Sequence, residues 1–341
     1  MKTLDLRAIN KQDLDKARLL ELVSKLDQAK VLVLGDLILD EYLLGKPERI
    51  SREAPVIIFK YQDSQFKLGG AANAAANLAS FGVKVSLLGV VGDDPGADAM
   101  ARIAREQNID LIAIKDSERQ TTTKTRIISN SSSNPDAGTG VKQQVLRFDR
   151  EDNHDLSAEQ IDCILAQLPE LDYDLVLLSD YSNGVLNQEL AQAVIAESKT
   201  IVDSNGDLRK FKGAYSFTPN QPDTEALLDR TIANDGDLAQ AATELQAELN
   251  AEQVLITRGA KGMALLGEQS MDLIPALNLS EVFDVSGAGD TVSALYSAAL
   301  AIGASPLEAA LLGNLAASIV VKKYGTATTS KEEMIELING L

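Results

Sequence analysis

Apolar, strand-like runs alternate with amphipathic helical runs through most of this 341-residue chain. Residues 30–40, KVLVLGDLILD, form one such run, and its first strand-like part ends at Gly35 and Asp36, like a buried parallel strand. Further strand-like runs occupy 84–94, 173–181, 200–205, 214–220 and 252–266, and helical runs occupy 12–29, 69–82, 157–168, 187–198 and 237–250. This alternation predicts an α/β fold with a central, mostly parallel sheet flanked by helices.

Three segments interrupt the alternation, at residues 54–68, 119–130 and 142–152. They are rich in Thr, Ile, Val and Phe, and they lack a helical period, which predicts antiparallel strands exposed on one face. A run of Ser, Asn, Gly and Pro at 129–140 predicts a flexible hairpin loop between the last two segments. We therefore expect a small protruding β-sheet that serves as a lid, an oligomer interface, or both.

The predicted organisation has three parts. They are an N-terminal helical segment at 1–29, an α/β core at 30–48, 71–118 and 153–341, and a β lid at 49–70 and 119–152. Because edge strands of an exposed sheet can pair with another chain, we also expect a homodimer formed through the lid.

The composition excludes several classes of function. With 32 basic and 50 acidic residues, the formal net charge is −18, which argues against binding to nucleic acid or to anionic membranes. The N-terminus lacks the apolar core of a signal peptide, which predicts a cytoplasmic protein. With a single cysteine, the chain cannot form an intrachain disulfide, and one cysteine and one histidine give no basis for a His/Cys metal site or a Ser-His-Asp triad. We expect Cys163 to be a buried helical residue and His154 a solvated loop residue.

The segment DVSGAGDT at 284–291 places three small residues between two aspartates, just before an apolar helical run. Backbone N–H groups at a helix N-terminus form an anion site together with the helix dipole, and small residues let a phosphate approach the backbone. A carboxylate beside that anion, Asp290, is suited to accept the proton of a hydroxyl that attacks a phosphoryl group. An Asp cap after a Gly-rich turn explains the local pattern equally well.

This segment is one of four motifs that resemble the ribokinase-like, or PfkB, carbohydrate kinases. The others are GDLILD at 35–40, LGGAANAAANLASFG at 68–82 and LITRGAKG at 255–262. The resemblance implies a ribokinase-like fold and an ATP-dependent sugar kinase that uses Mg²⁺, with K⁺ as a further cofactor candidate. It also implies a small-molecule sugar or sugar phosphate as the partner.

Five further segments are similar to the D-glycero-β-D-manno-heptose 7-phosphate kinases, which occur alone or as the N-terminal half of a bifunctional kinase/adenylyltransferase. They are PERISREAPV (47–56), TKTRIIS (123–129), QQVLRFDRE (143–151), LSDYSNGVL (178–186) and TPN (218–220). The implied reaction converts heptose 7-phosphate to the 1,7-bisphosphate, a lipopolysaccharide precursor.

The resemblance implies roles for individual residues. The catalytic base would be Asp290, and the anion hole for the migrating γ-phosphate would be Gly287, Ala288 and Gly289. The residues that bind sugar hydroxyls would be Asp36, Gly69, Gly70 and Asn73. The nucleotide-binding residues would be Asn220, Thr257, Gly259, Gly262 and Asn314. The metal-binding residues would be Asn220 and Asp223 for Mg²⁺ through water, and Asp284 for a monovalent cation.

Basic residues of the predicted lid are candidates for binding a substrate phosphate, because arginine in particular suits bidentate phosphate recognition. They are Lys124, Arg126 and Arg147, with Arg49 as a further basic residue of these segments. Arg147 and Asp149 stand where the heptose kinases have the same pair. For each basic residue, a solvated sheet face is the alternative interpretation.

Two segments depart from the heptose kinases, which read DYxKG and DPKG where this chain reads DYSNG (180–184) and DSNG (203–206). Asn183 and Asn205 thus replace lysines, and Asp223 stands where the family usually has Glu. A different acceptor therefore stays open: fructose 1-phosphate, a ketodeoxy acid, ribose or a nucleoside. The alternative from another class is a non-catalytic sensor of a sugar or nucleotide.

Overall fold

The computed structural model describes residues 4–10, 13–131, 141–267, 270–277 and 282–341. Its strands are β1 (Asp5–Ala8), β2 (Lys30–Gly35), β3 (Leu37–Ile50), β4 (Ile57–Gly70), β5 (Lys84–Gly92), β6 (Asp110–Asp116), β7 (Thr123–Ser131), β8 (Val141–Arg150), β9 (Leu175–Asp180), β10 (Thr200–Ser204), β11 (Ser216–Phe217), β12 (Gln253–Thr257), β13 (Met263–Leu266) and β14 (Ser270–Ile274). Its α-helices are α1 (Lys16–Lys25), α2 (Ala71–Ala79), α3 (Pro95–Glu106), α4 (Ala158–Gln167), α5 (Gln188–Glu197), α6 (Gln221–Leu227), α7 (Asp235–Leu249), α8 (Ala288–Ala301), α9 (Pro306–Val320) and α10 (Lys331–Asn339). Short 3-10 helices lie at Leu26–Gln28, Leu168–Glu170, Leu208–Phe211 and Gly259–Lys261. Most of the predicted hairpin loop, residues 132–140, lies outside the described residues.

The larger sheet has ten strands in the order β1-β14-β13-β12-β11-β10-β9-β2-β5-β6. Its strand pairs are parallel except for β12 with β13 and β13 with β14. Apolar side chains cover both faces, packed against α1, α2, α3, α8, α9 and α10 on one side and α4, α5 and α7 on the other. The predicted α/β architecture with a mostly parallel sheet is confirmed.

The smaller sheet has the order β4-β3-β7-β8, in which β3 and β7 pair in parallel and the outer pairs are antiparallel. We call this sheet the lid. The prediction assigned residues 30–48 to the core, whereas the chain leaves the larger sheet after Gly35 and enters the lid as β3. The sequence does not show this transition because Leu37–Asp40, at the start of β3, are as buried as β2.

Helices α2 and α8 place the candidate site, because they pack against each other beneath the lid. Their contacting surfaces are rich in Ala and Ser, and every residue of 71–78 and of 290–300 is buried. Small side chains let two helix axes approach closely, so polar residues near the two N-termini can form direct hydrogen bonds.

The sequence predicted the surroundings of the single histidine correctly but not those of the single cysteine. Cys163 is exposed, contrary to the prediction, because it lies on the solvent side of α4 while Ile161 and Ile164 face the core. His154 is an exposed loop residue, as expected, with its Nδ1 2.5 Å from Asp152 Oδ1. Among the described residues, no helix has the length and apolar character needed to cross a membrane.

Candidate active site

The DVSGAGDT segment forms the turn that starts α8. Gly287 is the N-cap residue and has φ 76° and ψ 4°, in the left-handed region. A Cβ at this position would lie 2.6 Å from Asn73 Nδ2. Both the backbone conformation and the contact with α2 therefore require glycine here.

The three residues of the predicted anion hole differ in their surroundings. The N–H of Ala288 donates to the Val285 carbonyl at 3.2 Å, so this amide takes part in the turn itself. Gly287 and Gly289 line the same cavity as Asp290, and a Cβ at Gly289 would meet no atom within 4 Å. An anion can therefore approach the helix N-terminus most closely at Gly289.

Asp290 lies in the first turn of α8 and is 3% exposed. Its Oδ2 accepts a hydrogen bond from Asn73 Nδ2 at 2.6 Å, and its Oδ1 accepts one from the Tyr181 hydroxyl. Asn77 donates to the Asn73 carbonyl at 2.9 Å and accepts from the Thr291 hydroxyl at 3.0 Å. A buried network from α2, α8 and the loop after β9 thus fixes the orientation of this carboxylate.

The carboxylate of Asp290 titrates near neutrality. Burial, and after it the negative charge of Asp203, raises the pKa of Asp290 to about 7, although the donors Asn73 and Tyr181 act in the opposite direction. Burial also raises the pKa of Asp203 to about 6. A general base is most effective when its pKa lies near the working pH, so Asp290 has the property that the chemistry requires.

Asp36, a predicted sugar-binding residue, is engaged by the backbone of the loop that follows β9. Its Oδ2 accepts from the N–H groups of Tyr181 at 2.6 Å and Asn183 at 3.1 Å, and its Oδ1 accepts from that of Val185 at 3.3 Å. The side chain is buried, and burial raises its pKa. In this structure Asp36 holds the loop that carries Tyr181.

A second aspartate of the GDLILD motif, Asp40, lies in strand β3 of the lid. Its Oδ1 lies 2.5 Å from Arg126 Nη1, and its Oδ2 accepts from the Thr326 hydroxyl at 3.2 Å. A Cβ at Gly69 would lie 2.9 Å from Asp40 Oδ2, and one at Gly70, which has φ 56°, would lie 2.7 Å from a backbone carbonyl. The two predicted sugar-site glycines therefore make room for polar groups at the end of β4.

Two further lid residues predicted to bind a phosphate, Lys124 and Arg147, are paired with carboxylates. Lys124 Nζ lies 3.5 Å from Glu151 Oε1, and Arg147 forms a bidentate pair with Asp149 at 2.9 and 2.6 Å. This pairing with Asp149 raises the pKa of Arg147 further and lowers that of Asp149. Arg49 is exposed in the outer part of β3.

Two adjoining cavities open beside Asp290. The first, of about 240 Å³, is lined by Asp290, Gly287 and Gly289 together with Asp180, Tyr181, Asp203, Ser204, Asn205, Thr218, Asn220, Asp223 and Thr257. The second, of about 390 Å³, is mostly apolar and is lined by Thr257, Gly259, Ala260, Gly262, Met263, Ala276, Leu277, Val282, Val285, Ala288, Gly289, Val292, Asn314, Ala317, Ser318 and Val321. Because Thr257 and Gly289 line both, the cavities form one cleft with a polar end and an apolar end.

All predicted nucleotide-binding residues border this cleft. Gly262 has φ 85°, and a Cβ there would lie 2.0 Å from the Ile274 carbonyl, whereas Gly259 faces open space. Asn314 supports the wall by donating to the Pro275 carbonyl at 2.9 Å.

Asn220 and Asp223, the predicted magnesium-binding pair, lie at the start of α6. The Asn220 Oδ1 accepts from the Asp223 N–H at 2.8 Å, so Asn220 acts as the N-cap of this helix. Burial raises the pKa of Asp223. The Asp223 carboxylate provides at the cleft the type of oxygen ligand that Mg²⁺ prefers.

Asp284, the predicted monovalent-cation residue, accepts two backbone hydrogen bonds. They come from Ser286 N–H at 3.0 Å and Gly325 N–H at 2.9 Å. Although burial acts in the opposite direction, these hydrogen bonds lower the pKa of Asp284. The carboxylate therefore joins the turn before α8 to the loop after α9.

The two asparagines that replace lysines lie in different surroundings. Asn183 is buried, and its Nδ2 donates to the Thr122 hydroxyl at 3.1 Å. Asn205 is exposed and lines the polar end of the cleft. Only Asn205 of the two therefore stands where a lysine side chain would face an anion in the cleft.

Sequence reasoning did not single out three residues of the site, namely Tyr181, Asp40 and Asp203. Each lies inside a motif that the sequence did mark: DYSNG, GDLILD and DSNG. The sequence could not give the direction of these side chains, because a motif does not tell which of its polar side chains comes close to Asp290.

A parallel sheet with a β lid, a carboxylate at a helix N-terminus and a cleft with an apolar end together define a sugar kinase of the α/β class. The sequence profile of the pfkB family of carbohydrate kinases matches residues 28–333, and the chain belongs to this family. It is thus a phosphotransferase whose acceptor is an alcohol group.

Curated relatives include two bacterial proteins named Bifunctional protein HldE. The one from a Nitratiruptor species is 39% identical over 311 residues, which cover 90% of this chain and 64% of the relative. The one from a Caulobacter species is 42% identical over 323 residues, which cover 92% of this chain and 63% of the relative. The chain thus spans just under two thirds of the length of these relatives.

Solved structures support the fold assignment. Phosphofructokinase-2 from Escherichia coli, solved in complex with potassium, superposes with a TM-score of 0.74 at 18% identity, covering 92% of this chain and 99% of that one. Ribokinase from Arabidopsis thaliana, solved with ribose and ATP, superposes with a TM-score of 0.68 at 20% identity, covering 91% and 98%. The predicted ribokinase-like fold is confirmed.

Proposed function

We propose that this protein transfers the γ-phosphoryl group of ATP to a hydroxyl of D-glycero-β-D-manno-heptose 7-phosphate and forms the 1,7-bisphosphate. The observation that carries the proposal is the position of Asp290. Its carboxylate is buried at the N-terminus of α8, lines the cleft, and has a pKa raised to about 7. A base and an anion site are therefore one residue apart.

In the proposed reaction, Asp290 accepts the proton of the acceptor hydroxyl as that oxygen forms its bond to the γ-phosphorus. The bond from the γ-phosphorus to the bridging oxygen breaks, and ADP is the leaving group. Backbone N–H groups at the start of α8, with Gly289 foremost, stabilise the negative charge on the transferring group. The charge and proton balance is complete, because the acceptor proton resides on Asp290 until product release.

The cleft fits a nucleoside triphosphate. The apolar end of the cleft, with Asn314 in its wall, suits the nucleobase. The polar end, at the N-terminus of α8, suits the phosphates. Mg²⁺ is usually held by one or two carboxylates together with substrate phosphates, and Asp223 provides one carboxylate here. Mg²⁺ bound there would neutralise phosphate charge, and Asp284 is the residue we propose to border a K⁺ site.

The lid supports an acceptor that already carries a phosphate. In the register of the lid strands, Asp40 lies beside Lys67 on β4 and Lys124 on β7, and Arg126 lies opposite Arg147 on β8. Side chains alternate across a strand, so these four cations share one face of the lid, together with Asp40. Arginine pairs of this kind suit a phosphate monoester.

The similarity to the HldE proteins supports heptose 7-phosphate over the other acceptors. Arg147 and Asp149 keep the pair seen in the heptose kinases, and the structure joins them directly. The replacement of a lysine by Asn205 leaves the proposed kinase activity unaffected, but it makes the identity of the acceptor the point that needs testing.

The test is ADP formation by purified protein with a panel of sugars and sugar phosphates, with Asp290→Asn as the control. We expect turnover with heptose 7-phosphate, and loss of that turnover in the variant. Turnover with fructose 1-phosphate, a ketodeoxy acid, ribose or a nucleoside, but not with heptose 7-phosphate, would show that the proposed acceptor is wrong. Tight sugar binding without ADP formation would favour the sensor.

We also propose that two copies associate through their lids. The lid exposes a set of large apolar side chains beside its edge strands. They are Ile50, Val56, Ile57, Tyr61, Val145, Leu146 and Phe148. Size-exclusion chromatography with light scattering should show a dimer that Leu146→Glu converts to a monomer. The matched substitution at an exposed leucine outside the lid, Leu6→Glu, should leave the dimer intact, and an unchanged dimer in both variants would exclude this interface.

A further inference from the structure

Tyr181 makes a contact to Asp290 that chemically resembles the contact of a substrate. Its hydroxyl donates to Asp290 Oδ1, and an acceptor sugar must likewise place a hydroxyl proton against this carboxylate. Asn73, which bonds the other oxygen, is an amide on a buried helix and cannot mimic an alcohol in this way. The phenol therefore occupies the position that an acceptor hydroxyl requires.

The backbone of Tyr181 is held firmly while its ring lies between the base and the lid. Asp36 accepts hydrogen bonds from three N–H groups of the loop, at residues 181, 183 and 185. The next residue, Ser182, has φ 60°, and a Cβ at Gly184 would lie 2.2 Å from the His154 carbonyl, so the loop has little freedom to move as a whole. Rotation about the side-chain bonds of Tyr181 would move the ring without moving this backbone.

On its other side the ring faces the lid. Lys124 Nζ lies over the Tyr181 ring, 5.6 Å from its centroid, in a cation–π arrangement. The same lysine is one of the cations that we propose to meet the acceptor phosphate. A substrate that draws Lys124 towards its phosphate would therefore weaken the contact that holds the ring in place.

We infer that Tyr181 is a positioning residue that holds the base in the absence of acceptor and yields its place to the acceptor hydroxyl. This inference rests on the proposed function, because it takes Asp290 as the base. While the phenol donates to Oδ1, it fills one of the acceptor positions through which a water molecule would be activated by the base for attack on the nucleotide. Sugar-independent ATP hydrolysis is thereby limited.

The state of the phenol is compatible with this role. Burial, and after it the negative charges of Asp290 and Asp203, raises the pKa of Tyr181, so the hydroxyl keeps its proton and remains a donor. The hydrogen bond from Tyr181 also lowers the pKa of Asp290. Removal of the hydroxyl should therefore raise the pKa of the base.

The experiment compares Tyr181→Phe with Tyr173→Phe. Tyr173 is a matched control because its hydroxyl lies 3.1 Å from Ser198 Oγ, away from the cleft. Removing one hydrogen bond to a charged group changes an equilibrium by about tenfold or more. We therefore expect Tyr181→Phe to raise ATP hydrolysis without sugar about tenfold. The acidic limb of its kcat/KM profile should move to higher pH, and Tyr173→Phe should match the unmodified protein.

A double variant, Asp290→Asn with Tyr181→Phe, separates the two proposals. If the added hydrolysis needs the base, it disappears in the double variant. Unchanged hydrolysis and an unchanged pH profile in Tyr181→Phe, with Asp290→Asn inactive, would overturn the inference and leave the proposed function in place. Full turnover in Asp290→Asn would overturn the proposed function itself.

Discussion

Strands β9 and β8 show how differently the two sheets of this molecule are built. Every residue of β9, Leu175–Asp180, is buried in the ten-stranded sheet. In β8, every residue from Gln143 to Arg150 is exposed at the edge of the lid. The first strand is held by packing on both faces, and the second by backbone pairing with β7 and by the ion pair of Arg150 with Glu41 on β3.

The difference separates two tasks. Close packing fixes the ends of the core elements, and so it fixes Asp290 and the loop after β9 to the precision that proton transfer needs. An exposed strand gains little from packing, so its charged residues can change partners when a substrate arrives. We therefore propose that the core provides the chemistry and that the lid provides the charges that select the acceptor.

The largest effect is expected where the core meets the chemistry. Asp290→Asn keeps the size of the side chain but removes the base, so we expect turnover to fall by about 10²–10⁴-fold. In the unmodified protein, kcat/KM should rise with pH up to about 7, because the base must lose its proton. Steady-state kinetics between pH 5 and 9, with circular dichroism to confirm folding, check this expectation, and near-normal turnover would contradict it.

The same variant tests the cost of burying this carboxylate in the core. Its folded-state pKa lies above that of aspartate in an unfolded chain, about 3.9, so the folded protein binds more protons between these values. The contribution of Asp290 to stability is therefore present below about pH 4 and is lost as pH rises to about 7. Between pH 4 and 7 the unmodified protein should lose this contribution and Asp290→Asn should not. We therefore expect the Tm of the variant to rise relative to that of the unmodified protein as the pH increases. A constant difference in Tm from pH 4 to 7 would contradict the assignment.

Two leucines test the contrast between the sheets directly. Leu177 in β9 is fully buried, whereas Leu146 in β8 is 54% exposed. Because a buried truncation leaves a cavity, Leu177→Ala should lower the free energy of unfolding by about 2–5 kcal/mol. Leu146→Ala should change it by less than about 0.5 kcal/mol in the monomer. Urea denaturation measures both, and equal losses would erase the distinction between the sheets.

Two arginines on β8 sharpen the role of the lid. Arg147 lies on the face shared with Arg126, while Arg150 points to the opposite face and lies 3.4 Å from Glu41. Loss of a charge-assisted contact predicts that Arg147→Gln raises the KM for heptose 7-phosphate about tenfold, with kcat nearly unchanged. Arg150→Gln should leave that KM unchanged. If both variants raise the KM equally, the loss of positive charge on the lid explains the effect, and specific recognition of the phosphate by Arg147 does not.

The smallest effect is expected at the exposed asparagine of the cleft. Asn205→Lys restores a cation at the polar end, so we expect the KM for an anionic substrate to fall by about threefold. Asn183→Lys places a charge in a buried position and should lower the Tm instead, without improving binding. Kinetics and thermal denaturation of both variants check this contrast. Improved binding in Asn183→Lys alone would reverse the assignment of the two positions.

The sequence by itself determined most of the buried strands of the larger sheet, most of the helices and the turn at DVSGAGDT. Strands buried on both faces need apolar residues at every position, and a left-handed N-cap needs glycine, so both leave a local record in the chain. The motif also named Asp290, because its place at a helix start depends only on neighbouring residues. Three of the four lid strands were visible for a similar reason, since they alternate in polarity, whereas β3 begins with a buried, mostly apolar run.

Only the tertiary structure decided which polar groups meet. Asn73 and Tyr181 are 217 and 109 residues from Asp290 along the chain, and their contacts depend on how helices and loops pack. Asp36 and Asp40 belong to one short motif, yet the chain changes sheets between them. Asp36 therefore holds the loop after β9, whereas Asp40 pairs with Arg126 within the lid. A local pattern cannot encode a direction that is set by the surrounding fold.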